Sequence, residues 1–180
     1  MSTQYKVSNS VLELTLGDIT LQETDVIVNA ANSLLAPGGG VAGAIHRGAG
    51  PELWDECKTL GRCSTGEAKI TRGYNLSADH VIHTVGPIYA GRVCDPENLK
   101  NSYLNSLDLA SKNNLKSISF PSISTGVFGY PVKEASYIAL KAIIGWLKHH
   151  PGIELVRMVL YSEDDYNIYK SALDNLMADE

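Results

Sequence analysis

Leucines at 12, 14 and 16 alternate with polar residues in "VLELTLGD", and this period of two predicts a strand with one polar side. In "DVIVNA" the β-branched residues run without interruption, as in a strand covered on both faces. "EAKIT", "HVIHTV", "LKSISF" and "ELVRMVLY" read as four further strands. Between these runs the apolar period lengthens. Small and apolar residues from Val41 to Ala49 suit a short helix ended by Gly48 or Gly50, and Pro51 opens a second helix, "PELWDECKTL". Asp95-Pro96-Glu97 reads as an N-cap acid, a proline and a first-turn acid, and the helix that follows puts Leu99, Tyr103, Leu107 and Ala110 on one face. The longest helix is predicted from Val132 to Lys148, with Ala135, Ala139, Ala142, Ile143, Trp146 and Leu147 as its stripe. Ser162 with Asp165 resembles a capping box and opens the last helix. Alternating strands and helices predict an α/β domain with a largely parallel sheet, which hairpin-like opening strands would make mixed. No linker, repeat or low-complexity tract divides the chain, so one domain is expected over 1–180.

Composition narrows the function. Of 180 residues 44% are hydrophobic and 19% charged, enough for a full core, and the net charge is -5. An acidic chain without a basic stripe makes nucleic acid an unlikely partner, although backbone amides still suffice for one anionic small molecule. Three cysteines, Cys57, Cys63 and Cys94, form no C-x-x-C pair, so neither a disulfide framework nor a metal site is expected. The opening "MSTQYKVSNS" lacks the charged-then-apolar pattern of an export signal, and "AIIGWL" is too short to span a bilayer. A cytoplasmic protein that needs no membrane and no cofactor is the expectation.

In open α/β sheets ligands sit beyond the carboxyl ends of the strands, and three such ends carry candidate chemistry here. Asp18 follows Gly17 as the first strand ends. Its carboxylate could accept an adenine amine, or cap the turn "DITLQE"; alone, the residue reads as the cap. Asn29 and Asn32 end the second strand with amides that suit sugar hydroxyls or Asx-turns. Gly38, Gly39 and Gly40 then lead straight into a helix, with exposed N–H groups, a positive helix end and no Cβ to obstruct a phosphate. This is not the Walker pattern, since no Gly-Lys-Ser/Thr follows, nor the dinucleotide fingerprint with its downstream acid. In "FPSISTGVFGYP", Ser122, Ser124, Thr125, Gly126 and Gly129 can turn N–H groups and hydroxyls toward an anion, with Phe128 as an apolar wall. Two glycine-bearing loops in one α/β frame imply a diphosphate gripped from two sides. Among the histidines, His46 reads as a helix-surface or packed residue, His83 as a satisfied core group, and His149 and His150 as helix C-terminal cations.

Together "GDIT", "VIVNAAN", "GGGVAGAIHRGAG", "HTVGP" and "PSISTGVFGYP" resemble the macrodomain family, an ADP-ribose-binding module, over nearly the whole chain and in order. The layout is most similar to bacterial and archaeal single-domain members near the MacroD-type group. The resemblance implies a three-layer α/β/α fold with a mixed six-stranded sheet between helices. It implies that Asp18 and Ile19 hold the adenine with Tyr161 beside the ring, that Asn29 and Asn32 lie near the distal ribose, and that Gly38, Gly39, Gly40 and Val41 form the first phosphate loop. The second loop would run through Ser122, Ile123, Ser124, Thr125, Gly126, Val127 and Phe128, with Phe128 against the distal ribose. One position departs: MacroD-type hydrolases have aspartate where this chain has Ala42, and that residue is thought to position or activate water.

The resemblance therefore leaves two readings. One is a hydrolase of ADP-ribosyl-glutamate or -aspartate, or of O-acetyl-ADP-ribose, with Asn32 helping to hold the water and the rate reduced by Ala42. The other is a module that binds ADP-ribose or an ADP-ribosylated protein and releases it unchanged. A monomer is expected in either case. An RNA-binding reading is opposed by the acidic charge.

Overall fold

The computed structural model describes residues 1–179. Seven strands form one sheet: β1 (Ser2–Val7), β2 (Ser10–Leu16), β3 (Val26–Ala30), β4 (Ala68–Arg72), β5 (His80–Thr84), β6 (Ser117–Phe120) and β7 (Leu155–Leu160). The five helices are α1 (Gly40–Ala49), α2 (Pro51–Cys57), α3 (Asp95–Lys112), α4 (Val132–His149) and α5 (Glu163–Ala178). The strand order is β1-β2-β7-β6-β3-β5-β4. The five inner strands are mutually parallel, and β1 and β4 run antiparallel at the two edges.

The sheet is mixed as expected but has seven strands rather than six. The additional one is β1, where Thr3, Tyr5 and Val7 alternate with polar residues. A two-residue turn at Ser8 and Asn9, with Ser8 at φ 53°, folds it back so that Val7 pairs with Ser10. Two further local expectations shift. The helix opened by Pro51 ends at Cys57 and continues only as a 3-10 turn from Lys58 to Leu60. Cys94, not Asp95, is the N-cap of α3. Asp95 lies inside the first turn, and its carboxylate accepts N–H bonds from Ala90 and Arg92 at 2.9 and 3.1 Å. Those bonds, and the Arg92 guanidinium, hold it below the usual aspartate range against the opposing effect of burial.

Two apolar clusters flank the sheet. Val26 and Val28 of β3 face a larger one with Leu12, Leu14, Phe120 and the stripes of α3, α4 and α5, including Leu99, Tyr103, Leu107, Ala139, Ile143 and Trp146. Ile27 of the same strand faces a smaller one with Ile45, Ala49, Leu53 and Cys57 from α1 and α2. Period two in a strand buried on both faces thus divides its side chains between two helical layers. No helix among the described residues is long and apolar enough to cross a membrane.

This topology locates a crevice. From β3 the chain crosses α1 and α2 on one face to reach β5 on one side. It then crosses α3 on the other face to reach β6 on the opposite side of β3. The direction of winding reverses at β3, and the loops leaving the adjacent ends of β3 and β6 diverge to opposite faces. Such a switch point opens a cleft at the carboxyl ends of the strands.

Candidate functional site

The loop after β3 forms one wall of that cleft. Asn32 organises it: Oδ1 accepts the N–H groups of Leu34 and Ala36 at 3.1 and 3.0 Å, and Nδ2 donates to the Ala36 carbonyl at 2.9 Å. The Asx-type geometry is therefore real, and one Nδ2 hydrogen stays available to a ligand. Gly38, Gly39 and Gly40 are exposed. Gly39 is the N-cap of α1 without a side-chain cap, and Gly40 sits at φ 57°, where a Cβ would be strained. The Gly43 N–H donates to the Gly39 carbonyl. The N–H groups of Gly40, Val41 and Ala42 come before the first intrahelical bond and point out of the helix end with its partial positive charge. Gly43 has a packing reason: a Cβ there would sit 2.2 Å from the Gly38 carbonyl oxygen. The helix thus presses against the loop it follows.

The loop after β6 forms the facing wall, and here the hydroxyls differ from expectation. All three turn inward. Ser122 meets the Tyr169 hydroxyl at 2.7 Å, Ser124 donates to the Pro87 carbonyl at 2.8 Å, and Thr125 donates to the Ser122 carbonyl and hydroxyl at 3.0 and 2.9 Å. Ile123 is also not a cleft residue. Its side chain is fully buried and its N–H donates to the Tyr103 hydroxyl at 3.1 Å. The loop therefore presents main chain to the cleft. The N–H groups of Ser124, Thr125, Gly126, Val127 and Phe128 have no partner among the described residues, while those of Gly129 and Tyr130 close the turn onto Gly126 and Ser124. Ser124, at φ 68°, and Gly129, at φ 76°, supply the reversals that aim successive amides one way. Gly126 is exposed, with nothing within 4 Å of where a Cβ would stand.

Asp18 is the cap of the 3-10 turn from Ile19 to Leu21, its Oδ1 accepting Thr20 N–H and Oγ1–H at 2.9 and 2.7 Å. The side chain of Ile19 is buried, so the residue offers the cleft its N–H group. Leu16 is in register with Leu160, and Gly17 N–H reaches the Leu160 carbonyl at 2.9 Å, so exposed Tyr161 emerges beside Asp18. Phe128 is half-buried, and its carbonyl accepts Tyr89 N–H at 2.8 Å, linking the loops after β5 and β6.

Asn29 lies below this surface. It is wholly buried and its Nδ2 lies 3.1 Å from His83 Nδ1, so it supports the cleft floor and gives a ligand no surface. His83 is the satisfied core histidine expected, bonded also to Thr71 at 2.9 Å, and burial holds its pKa down to about 3. His46 is packed, not on the surface. His149 and His150 bond the carbonyls of Gly145 and Trp146 at the end of α4.

Sequence reasoning missed the scaffold behind the second loop. Tyr103 and Tyr169 are fully buried on α3 and α5, and their hydroxyls hold Ile123 N–H and Ser122. Each reads as a core aromatic of its helix. Only the 20- and 47-residue separations closed by the fold show the polar end's task.

The Macro domain family pattern matches residues 28–139, from the end of β3 through the second loop into α4. The chain belongs to the Macro domain family. This macrodomain is 50% identical over 171 residues to the bovine ADP-ribose glycohydrolase MACROD1, covering 93% of this chain and 53% of that protein. It thus spans about half the length of that curated relative. Its fold matches a macrodomain of Oceanobacillus iheyensis with ADP at a TM-score of 0.97 and 46% identity, over 100% of this chain and 98% of that one. It also matches a Trypanosoma brucei macrodomain in complex with ADP-ribose at a TM-score of 0.86 and 44% identity, over 90% and 68%.

Proposed function

We propose that this macrodomain binds ADP-ribose and hydrolyses ADP-ribosyl adducts at the distal ribose, slowly because Ala42 stands where the hydrolases it resembles have aspartate. The observation that carries the reading is the pair of facing loops whose main-chain N–H groups lack partners among the described residues. A pyrophosphate supplies the acceptors such amides need, without a charged side chain. Asp18, the Ile19 N–H and Tyr161 would take the adenine at one end. Asn32 and Phe128 would take the distal ribose at the other. The ADP-ribose glycohydrolase name of the bovine relative and the ADP-ribose in the trypanosome structure support the assignment.

In hydrolysis, water would attack the anomeric carbon and displace the carboxylate of a modified glutamate or aspartate. Attack at an ester on the ribose hydroxyls would release acetate from O-acetyl-ADP-ribose. A monomer is the proposed state. Three unpaired cysteines, two of them buried, fit a reducing cytoplasm.

Calorimetry with ADP-ribose, ADP and AMP tests the binding. Affinity should fall from ADP-ribose to ADP and again to AMP. Equal affinities for ADP-ribose and ADP would remove the roles given to Asn32 and Phe128. A gel assay on mono-ADP-ribosylated protein tests the chemistry: loss of the label with time means hydrolase, and binding without loss means a reader.

A further inference from the structure

Among the described residues, the large apolar side chains that are at least half exposed all lie at one end of the molecule, the carboxyl end of the parallel strands. Leu34 follows β3, Ile88 and Val93 follow β5, Val127 follows β6 and Tyr161 follows β7. Leu21 ends the 3-10 turn after β2, and Met1 stands beside the end of that strand, its carbonyl accepting the Leu16 N–H at 3.1 Å. The helix faces and the opposite end of the sheet expose no apolar side chain of this size. Scattered exposure needs no explanation, but exposure confined to the rim of one cleft marks a surface that meets something.

Three of these side chains stand beside the residues assigned to the distal ribose. Leu34 donates its N–H to Asn32 Oδ1 at 3.1 Å. Val127 precedes Phe128 and Ile88 precedes Tyr89, and the Tyr89 N–H donates to the Phe128 carbonyl at 2.8 Å. The Ser124 hydroxyl donates to the Pro87 carbonyl at 2.8 Å, so the loops after β5 and β6 are tied at two points. Leu34, Ile88 and Val127 are 50%, 61% and 101% exposed. The surrounding loops, residues 31–39 and 121–131, contain no charged residue, and 85–94 contains Arg92 alone, which is paired with Asp95 at 3.3 Å. A surface of this kind attracts neither acidic nor basic groups; it gains only when apolar contact removes it from water.

We propose that Leu34, Ile88 and Val127 form a lip that receives the polypeptide on either side of the modified acid, and that this lip favours targets with apolar residues there. The inference rests on the ADP-ribose-binding reading above. In an ADP-ribosylated protein the polypeptide is joined to the distal ribose, so it leaves the cleft past the residues that surround that sugar. The apolar side chains beside Asn32 and Phe128 are the first surface it meets. A leucine or valine next to the modified acid covers them, whereas the acetyl group of O-acetyl-ADP-ribose is too short to do so. The substrate class that fits the whole surface is a modified polypeptide, and its local sequence contributes to recognition.

The test is calorimetry with free ADP-ribose and two synthetic peptides, each carrying ADP-ribose on the side-chain amide of one glutamine. An amide is a poorer leaving group than a carboxylate, so binding is read without turnover. The peptides differ only in the residues flanking that glutamine, leucine in one and serine in the other. Wild type should bind the leucine peptide ~4–15-fold more tightly, the effect of burying roughly one to two methylene groups. Ile88→Ser should lose at least about half of that preference, since one of the three lip side chains is gone. Its affinity for free ADP-ribose and its melting temperature should be unchanged, and Ile88→Leu should keep the preference. Equal affinities of wild type for the two peptides overturn the proposal whether or not a variant folds. A leucine preference that survives Ile88→Ser intact puts the docking surface elsewhere and overturns the lip. Failure of wild type to bind free ADP-ribose overturns instead the binding reading on which the lip depends.

Discussion

At the scale of single residues, the proposed function makes position 42 the test of rate and position 126 the test of binding. Ala42 lies in the first turn of α1, where a carboxylate is favoured by the helix dipole. Ala42→Asp should therefore fold, and should accelerate release of ADP-ribose by at least ~10-fold, with the ~10²–10⁴-fold of full general-base help as the ceiling. An unchanged single-turnover rate would show that proton transfer does not limit this protein. Gly126 has open space around its Cβ direction and an ordinary backbone conformation. Gly126→Glu should keep the wild-type melting temperature while abolishing ADP-ribose binding in calorimetry, since the new carboxylate meets the phosphates. Retained binding would move the pyrophosphate away from the second loop.

His83 makes a residue-scale prediction about stability. In the folded state burial keeps it neutral down to about pH 3, whereas in the unfolded chain it protonates near its ordinary 6.5. Below 6.5 the unfolded chain binds a proton that the folded chain refuses. The contribution is therefore complete above that pH and is lost progressively toward about 3. Between pH 6.5 and about 5 the loss should be roughly 2 kcal/mol, at about 1.4 kcal/mol per pH unit. Urea midpoints at these two pH values should show it, and His83→Gln should reduce the difference, leaving the part due to His46, which burial also holds below its ordinary value. The hydrogen-bonded carboxylates of Glu13, Asp95 and Asp174 are held below their ordinary values and stay ionised across that window.

At the scale of elements, each phosphate loop is held by the helices behind it. α1 packs its Gly43 against the Gly38 carbonyl, and a methyl group there has 2.2 Å where ordinary contact needs more than 3 Å. Gly43→Ala should push the first loop off the helix end and weaken ADP-ribose binding by at least ~10-fold, or about 1.4 kcal/mol, in calorimetry. Unchanged affinity would mean that the loop tolerates the shift. The second loop depends on the Tyr169 hydroxyl, 2.7 Å from Ser122 on a fully buried ring. Tyr169→Phe keeps the apolar contacts and leaves Ser122 and Thr125 to each other, so a loss of about 1 kcal/mol in stability is expected, measured by denaturant unfolding.

The same elements show what could be read from the chain. The stripes of α3 and α4 and the doubly buried β3 are where periodicity placed them, because burial of one face is repeated at each turn or alternate residue. Boundaries that depend on one bond were not legible. Asp95 looks like a cap, but its partners Ala90 and Arg92 lie in the preceding loop, so the helix begins one residue earlier in its bonding. Six strands were countable from apolar runs. β1 was not, since Thr3 and Tyr5 are only half-buried at a sheet edge, Val7 alone is buried, and pairing with β2 is what makes the segment a strand.

For the whole molecule, the sequence by itself determined that two glycine-bearing turns follow two buried strands in an α/β frame. That conclusion holds because glycines without Cβ at these two turns leave main-chain amides as the groups that can meet an anion. Only the tertiary structure decided which polar groups face the ligand. The hydroxyls of Ser122, Ser124 and Thr125, Asn29 and His46 all turn inward, while the amides between Ser124 and Phe128 stay open. The physical reason is distance along the chain. A hydroxyl or amide takes the partner that folding delivers, and for Ser122, Ser124 and Asn29 that partner stands 37 to 54 residues away. Local pattern sets what a segment can form, and non-local hydrogen bonds set which way its polar atoms point.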